Sequence, residues 1–298
     1  MPLDSVIDPR EPFLDYIVLD VFTDTPFQGN PLAVFPEAGA LCTSVMQRIA
    51  REFNLSETVF MTATAMPGIF DLRIFTPHQE LPFAGHPTIG AAWLLRRIGW
   101  HDDQTPLILR EKAGEVPIRF DGEHAWLSTP QPLSIAPSTL TRATAASLLG
   151  LSPESIIDDP VVGASCGTPF HLIGLSSVDT LGDVQANPSL LPAALKAEHG
   201  ANLYLYVQES ASTVRARKLR INDQVVEDPA TGSAAAPLAG YLALQSHETG
   251  TLEYTITQGI EMSRPSRIGV LVEKAEQRVT ALHVGGTAVV ISEGRLRL

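Results

Sequence analysis

Apolar residues recur along this chain in short runs closed off by Gly, Pro and Asp. The runs "YIVLDVF" (16–22), "DLRIFT" (71–76), "HLIGL" (171–175), "ANLYLYV" (201–207) and "TAVVIS" (287–292) alternate or stay apolar throughout, which predicts strands. Apolar residues three and four apart predict helices over 44–53, 86–98, 140–150, 188–199 and 233–245. Strands outnumber helices, and the fold is expected to be mixed α and β with many short strands.

Two of the predicted helices have similar approaches. One follows "HQELPFAG" and the other "VVEDPATG", so an acidic residue, a proline and small residues precede a start at Gly-His or Gly-Ser. Both helices are rich in Ala and Gly near that start, which suits burial inside a sheet. This is a weak internal repeat. The Pro- and Ser-rich "STPQPLSIAPS" (128–138) reads as the linker between the two halves.

Composition narrows the class. The 298 residues are 44% hydrophobic and 18% charged, with 22 Gly and 23 Pro, as in a turn-rich globular protein of one large or two smaller domains. A formal charge of −12, from 21 basic and 33 acidic residues, disfavours nucleic acid and leaves a small molecule as the expected partner. No apolar stretch reaches the length of a membrane span, and the first residues lack a basic start and apolar core, so the cytoplasm is the expected compartment. Cys42 and Cys166 are too few for a disulfide framework or a zinc cluster.

A helix N-terminus offers unpaired N–H groups and partial positive charge, so the starts at Gly85/His86 and Gly232/Ser233 could converge on one carboxylate. The plainer readings are that Ser233 is an N-cap and that His86 followed by Pro87 only opens a helix. Glu227 and Asp228 could likewise simply complement a helix dipole. Beside an anion-binding helix start, however, a carboxylate completes a site for a zwitterion: the acid takes the ammonium and the helix end the carboxylate. Glu57, in "NLSETVF", starts an apolar strand and either faces solvent at an edge or faces a cleft. In a cleft, desolvation would suit it to exchange protons near neutral pH. The remaining histidines, 78, 101, 124, 171, 199, 247 and 283, show no metal-ligand spacing and are expected on the surface or in strands; no metal is expected.

"FTDTPFQGNPLAVF" (22–35), "MQRIAREFNLSETVF" (46–60), "RIFTPHQELPFAGHPTIGAA" (73–92), "VVEDPATGSAAAPLAGYL" (225–242) and "TQGIEMSRPS" (257–266) strongly resemble the PhzF family of phenazine biosynthesis, in the family's order. The resemblance implies an α+β fold like that of diaminopimelate epimerase: two similar lobes, each a curved sheet wrapped around a central helix. The lobes would span 1–128, with an acidic tail over 1–15 and completion by the C-terminal strand, and 129–298. It also implies a cofactor-independent isomerase, a homodimer, that shifts a proton on a cyclic amino acid such as trans-2,3-dihydro-3-hydroxyanthranilate. The family's acid/base glutamate falls on Glu57, and its substrate-contacting histidine and aspartate on His86 and Asp228. Its cleft asparagine falls on Asn30 and its helix-end groups on Gly85, Gly232 and Ser233.

Epimerases of the same fold use two thiols, one on each face of the substrate. Here Ala84 and the Pro229/Ala230 region occupy those places, and Cys42 and Cys166 read as loop or buried thiols. Alternatives are an epimerase or racemase pairing Glu57 with another base, and a non-catalytic small-molecule binding protein. A Ser233/His86/Asp228 hydrolase ranks lower because the Gly-x-Ser-x-Gly elbow is absent. One departure concerns the Arg-x-Phe-x-Pro pattern found before both helices in the family. It is intact as Arg73, Phe75 and Pro77, but the second copy, "RARKLRINDQ" (215–224), has Leu219 and Ile221 near the expected Phe and Pro.

Overall fold

The computed structural model describes residues 13–298 apart from 103, 158–160 and 199. The first half runs β1 (Phe13–Val21), β2 (Asn30–Phe35), α1 (Thr43–Phe53), β3 (Glu57–Ala63) and β4 (Ile69–Phe75). The short β5 (Glu80–Leu81) leads into α2 (Gly85–Arg97), followed by β6 (Leu107–Glu111), β7 (Gly114–Asp121) and β8 (His124–Ser128). Next come β9 (Ser134–Pro137), α3 (Arg142–Leu149), β10 (Val162–Ser165), β11 (Pro169–Gly174), α4 (Val178–Gly182) and α5 (Ala193–Ala197). Then β12 (Ala201–Gln208), β13 (Thr213–Ile221), β14 (Val225–Asp228), α6 (Gly232–Gln245), β15 (Gly250–Gln258), β16 (Ser266–Ala275), β17 (Arg278–Gly286) and β18 (Ala288–Arg297) complete the chain.

The repeat seen in the sequence extends to the pairing scheme. In the first lobe β1 runs antiparallel to β2, β2 parallel to β3, β3 antiparallel to β4, and β4 antiparallel to β5 and parallel to β6. Strands β10 to β15 repeat these relations in the same order. Each lobe continues as an antiparallel meander, and β8 pairs with β17 to sew the two together. Parallel neighbours need a crossover, and α2 and α6 supply it inside their lobes. The last strand, β18, pairs with β1, while β9 pairs with β10 at the corresponding edge.

The two crossover helices are cores rather than covers. Every residue of α2 from His86 to Ala92 is buried, as is every residue of α6 from Ala234 to Gly240. Their small residues make room for strand side chains: a Cβ on Gly90 would stand 2.6 Å from Leu32 and 2.8 Å from Val21. One apolar cluster therefore runs through both lobes, joining Ile89 and Leu94 of α2 to Leu238 of α6 and to Leu282 and Val284 of β17. Each fully buried Leu or Ile in it is worth roughly 1.5–3 kcal/mol. Separate clusters back the outer faces, one around Phe35, Phe60 and Phe75, the other around Leu203, Leu219 and Ile221.

Four expectations change. The helix over 188–199 is instead a 3-10 turn (Pro188–Leu190) followed by the five-residue α5, because Pro192 interrupts the backbone hydrogen-bond ladder. The linker 128–138 is structured in part: residues 134–137 are β9. Residues 13–15 belong to β1 and not to a tail, while 1–12 lie outside the described residues. His101 is neither on the surface nor in a strand; it is buried after α2 and stacks on Phe120. His199 lies outside the described residues.

Candidate active site

The starts of α2 and α6 face each other. A Cβ built on Gly85 would come within 3.9 Å of the Ser233 backbone nitrogen, so a side chain there would narrow the gap between the two helix ends. A small hollow of about 60 Å³ opens beside them, bounded by Phe83, Cys166, Thr168 and Val284. Gly232 is tight for a second reason, since its Cβ would meet Val284 at 3.0 Å. Ser233 does not cap α6; that position is Thr231, whose hydroxyl donates instead to Asp228.

Glu57 opens β3 beside Leu32 of the parallel β2, and its carboxyl reaches His86 at the start of α2, with Oε2 to Nε2 at 3.5 Å. This is not an ion pair. Burial pushes His86 down to about 3, and its other ring nitrogen donates to the Pro31 carbonyl, so the ring is neutral with an unshared Nε2 lone pair. Burial pushes Glu57 up to about 8, the Asp228 carboxylate adds to the rise, and Lys218 opposes it. Glu57 therefore carries its proton through most of the neutral range and can both release and recover it there.

Asp228 ends β14 and is held from three elements. Its Oδ1 accepts from Asn30 Nδ2 at 2.9 Å and its Oδ2 from the Thr231 hydroxyl. Asn30 also donates to the Ala230 carbonyl at 3.0 Å, and its own Oδ1 is buried without a partner. Gln258 at the end of β15 donates to the Asp228 carbonyl at 2.7 Å and accepts from Tyr204 at 2.9 Å and the Thr231 amide at 3.3 Å. Directly after it, Gly259 (φ +81°) lies so close under the Pro229 turn that a Cβ would meet the Pro229 carbonyl oxygen at 2.6 Å. Burial raises the Asp228 pKa, and Lys218 and the donors to its carboxylate hold it back.

The seven residues singled out in the sequence thus fall into three touching groups: Glu57 with His86, Asp228 with Asn30, and Gly85 with Gly232 and Ser233. His86 directly follows Gly85, Asp228 lies four residues before Gly232, and the charge of Asp228 acts on Glu57, so the three groups lie near one another around the starts of α2 and α6. Among the described residues no cluster of three or more His, Cys, Asp or Glu is gathered for a metal, and no helix is long and apolar enough to cross a membrane.

The family profile described as "Phenazine biosynthesis-like protein" matches residues 19–294. A trans-2,3-dihydro-3-hydroxyanthranilate isomerase of Pseudomonas aeruginosa is 36% identical over 95% of this chain and 99% of its own. The chain belongs to the PhzF family. An uncharacterized isomerase of Pasteurella multocida is 38% identical over 94% of this chain and 93% of its own. In fold, the chain superposes on the crystal structure of a Bacillus anthracis PhzF family protein with TM-score 0.86, covering 96% and 100% of the two chains at 24% identity. The α+β architecture with two similar lobes is that of this family, and the chain is an isomerase.

Within this PhzF framework, sequence reasoning missed four residues of the cleft. Tyr204, Thr231 and Gln258 build the frame under Asp228. Lys218, in the altered second Arg-x-Phe-x-Pro copy, brings a cation to the carboxylates. A polar Gln at the end of a strand was the available signal; Lys218 gave none, lying among Arg215, Arg217 and Arg220 on β13. Two other assignments sharpen. Glu227 faces away from the cleft and binds Arg217 through both oxygens, at 2.8 and 2.9 Å. Cys166 lines the hollow by the helix ends, but burial pushes its thiol up to about 12, so it stays protonated.

Proposed function

We propose that this isomerase moves a proton between carbons of a cyclic amino acid of the trans-2,3-dihydro-3-hydroxyanthranilate kind, with Glu57 as the single acid/base group and no cofactor. The observation that carries the reading is Glu57 itself: a desolvated carboxyl pushed up to about 8, beside a neutral His86, in a cleft opened by two helix N-termini. One base that becomes the acid can deliver a proton to the same face from which it took it. The helix starts at Gly85, Gly232 and Ser233 would take the substrate carboxylate, and Asp228, positioned by Asn30, its ammonium. His86 Nε2, with no partner of its own, would accept a hydrogen bond from the substrate or from the acid form of Glu57.

The changed wall over 215–224 bears on which cyclic amino acid is used more than on the reaction type. Phenazine-type metabolism and a homodimer are parts of the same proposal, carried over from the resemblance, and a cytoplasmic setting is proposed from the sequence. So is the division into lobes at 128/129, with β18 completing the first.

The test is turnover in deuterium oxide. With trans-2,3-dihydro-3-hydroxyanthranilate or a close cyclic analogue, solvent deuterium should enter the product carbon skeleton, and Glu57→Gln should lower kcat about 100-fold or more while ligand still binds. Full activity in that variant would overturn the assignment.

A further inference from the structure

Lys218 occupies on β13 the place that Ile74 occupies on β4. Ile74 lies opposite Leu81 across β4 and β5, and Lys218 lies opposite Asp228 across β13 and β14. The neighbouring residues keep equivalent parts in both lobes. Arg73 grips Glu80 through two bonds of 2.8 and 3.0 Å, as Arg217 grips Glu227. The frame is thus constant, while one apolar pair of the first lobe is a charged pair in the second.

Strand alternation places Lys218 with Val214 and Ala216, which pack toward α6, and with Arg220, whose charge also acts on it, and opposite Leu219 and Ile221, which pack into the outer cluster. Its ammonium lies in the fields of Asp228 and Glu57. Neither carboxylate binds it directly. The oxygens of Asp228 are taken by Asn30 and Thr231, Glu57 stands against His86, and among the described residues Lys218 makes no hydrogen bond or ion pair. Burial lowers its pKa, as expected of an ammonium taken from water without full compensation. Its three N–H donors therefore have no acceptor among the described residues and are left to solvent or a ligand.

We propose that Lys218 is a substrate-binding residue that receives a second acidic group of the ligand, so that the cleft takes small ring compounds carrying two carboxylates. This rests on the reading that the helix ends hold the first carboxylate. Long-range electrostatics oppose a dianion, because the chain carries −12 overall, so a preference for one needs local positive charge, which Lys218 supplies beside the helix ends.

Calorimetric titration of the full chain at pH 7 with benzoate, phthalate, isophthalate and terephthalate tests it. At least one dicarboxylate should bind about tenfold or more tighter than benzoate. Lys218→Met should remove that advantage by weakening dicarboxylates much more than benzoate, and Lys218→Arg should retain most of it. Melting curves check the fold of each variant, and the comparison of ligands on the unmodified protein stands whether or not a variant folds. Benzoate binding with no dicarboxylate advantage, or an advantage that survives Lys218→Met, would overturn the role of Lys218 alone. Failure of all four ligands to bind would overturn both this role and the helix-end carboxylate site.

Discussion

Glu57 must be desolvated enough to hold a proton near neutrality, yet it must release that proton to work as a base. Burial wins over the nearby Lys218 cation, which sets its pKa at about 8. If the carboxylate form starts the reaction, kcat/KM should climb about tenfold per pH unit below 8 and level off above it. A profile already flat at pH 6 would count against Glu57 as the base. The same shift affects stability. From about pH 4.5 to 8 the unfolded chain releases this proton and the folded chain keeps it, so stability falls as pH rises through that window. Glu57→Gln removes the burden and should raise Tm relative to the unmodified protein at pH 9 but not at pH 4. This residue was legible because a glutamate opening an apolar strand breaks the pattern. Lys218 did not stand out among Arg215, Arg217 and Arg220 of β13, and nothing local tied it to a site whose other members lie on β3 and β14.

At the scale of elements, the two Arg–Glu clamps hold the short strands that feed α2 and α6. They are not equally strong. Arg217 is 11% exposed and also donates to the Leu181 carbonyl at 2.8 Å, whereas Arg73 is 33% exposed. Removing a buried partner strands the other charge, so Arg217→Met should cost about 2–4 kcal/mol and Arg73→Met about 1 kcal/mol in urea unfolding. Because β14 carries Asp228, Arg217→Met should also raise KM. Equal losses from both variants would show that burial does not distinguish the clamps. The helix over 188–199 was misread at this scale for a simple reason: hydrophobic spacing counts through Pro192, but the hydrogen-bond ladder does not.

At the scale of the whole molecule, the lobes are sewn by β8 with β17, and by Arg264, which reaches from just before β16 to β1 and the β1–β2 loop. Arg264 donates to the carbonyls of Gly29 and Gln28 at 2.8 and 2.7 Å and to the Asp20 carboxylate, just ahead of Asn30. Asp20 is 4% exposed, its pKa raised by burial and restrained by Arg264. Arg264→Met should therefore destabilise by about 3–5 kcal/mol at pH 7, since it leaves a buried carboxylate uncompensated. With the cation gone, the folded pKa of Asp20 rises further above its unfolded value, so the deficit should shrink as pH falls toward 4. Thermal unfolding at the two pH values measures it, and an unchanged deficit would mean that the loss lies in packing and not in charge.

The sequence by itself determined what local periodicity and short motifs can encode: the two small-residue helices, the repeated approach to each, and the carboxylates and histidine of the cleft. Those signals lie within a few residues of one another, where the 3.6 and 2.0 periods and helix-start chemistry act. Tertiary structure alone decided which of those residues meet. Asn30 and Asp228 are 198 positions apart in the chain, and Arg264 and Asp20 are 244 apart. It also decided that Glu227 serves the frame while its neighbour Asp228 serves the cleft, because strand alternation turns adjacent residues to opposite faces. The pKa values belong to the same level, since they depend on how much water the assembled lobes exclude and on charges delivered from other strands.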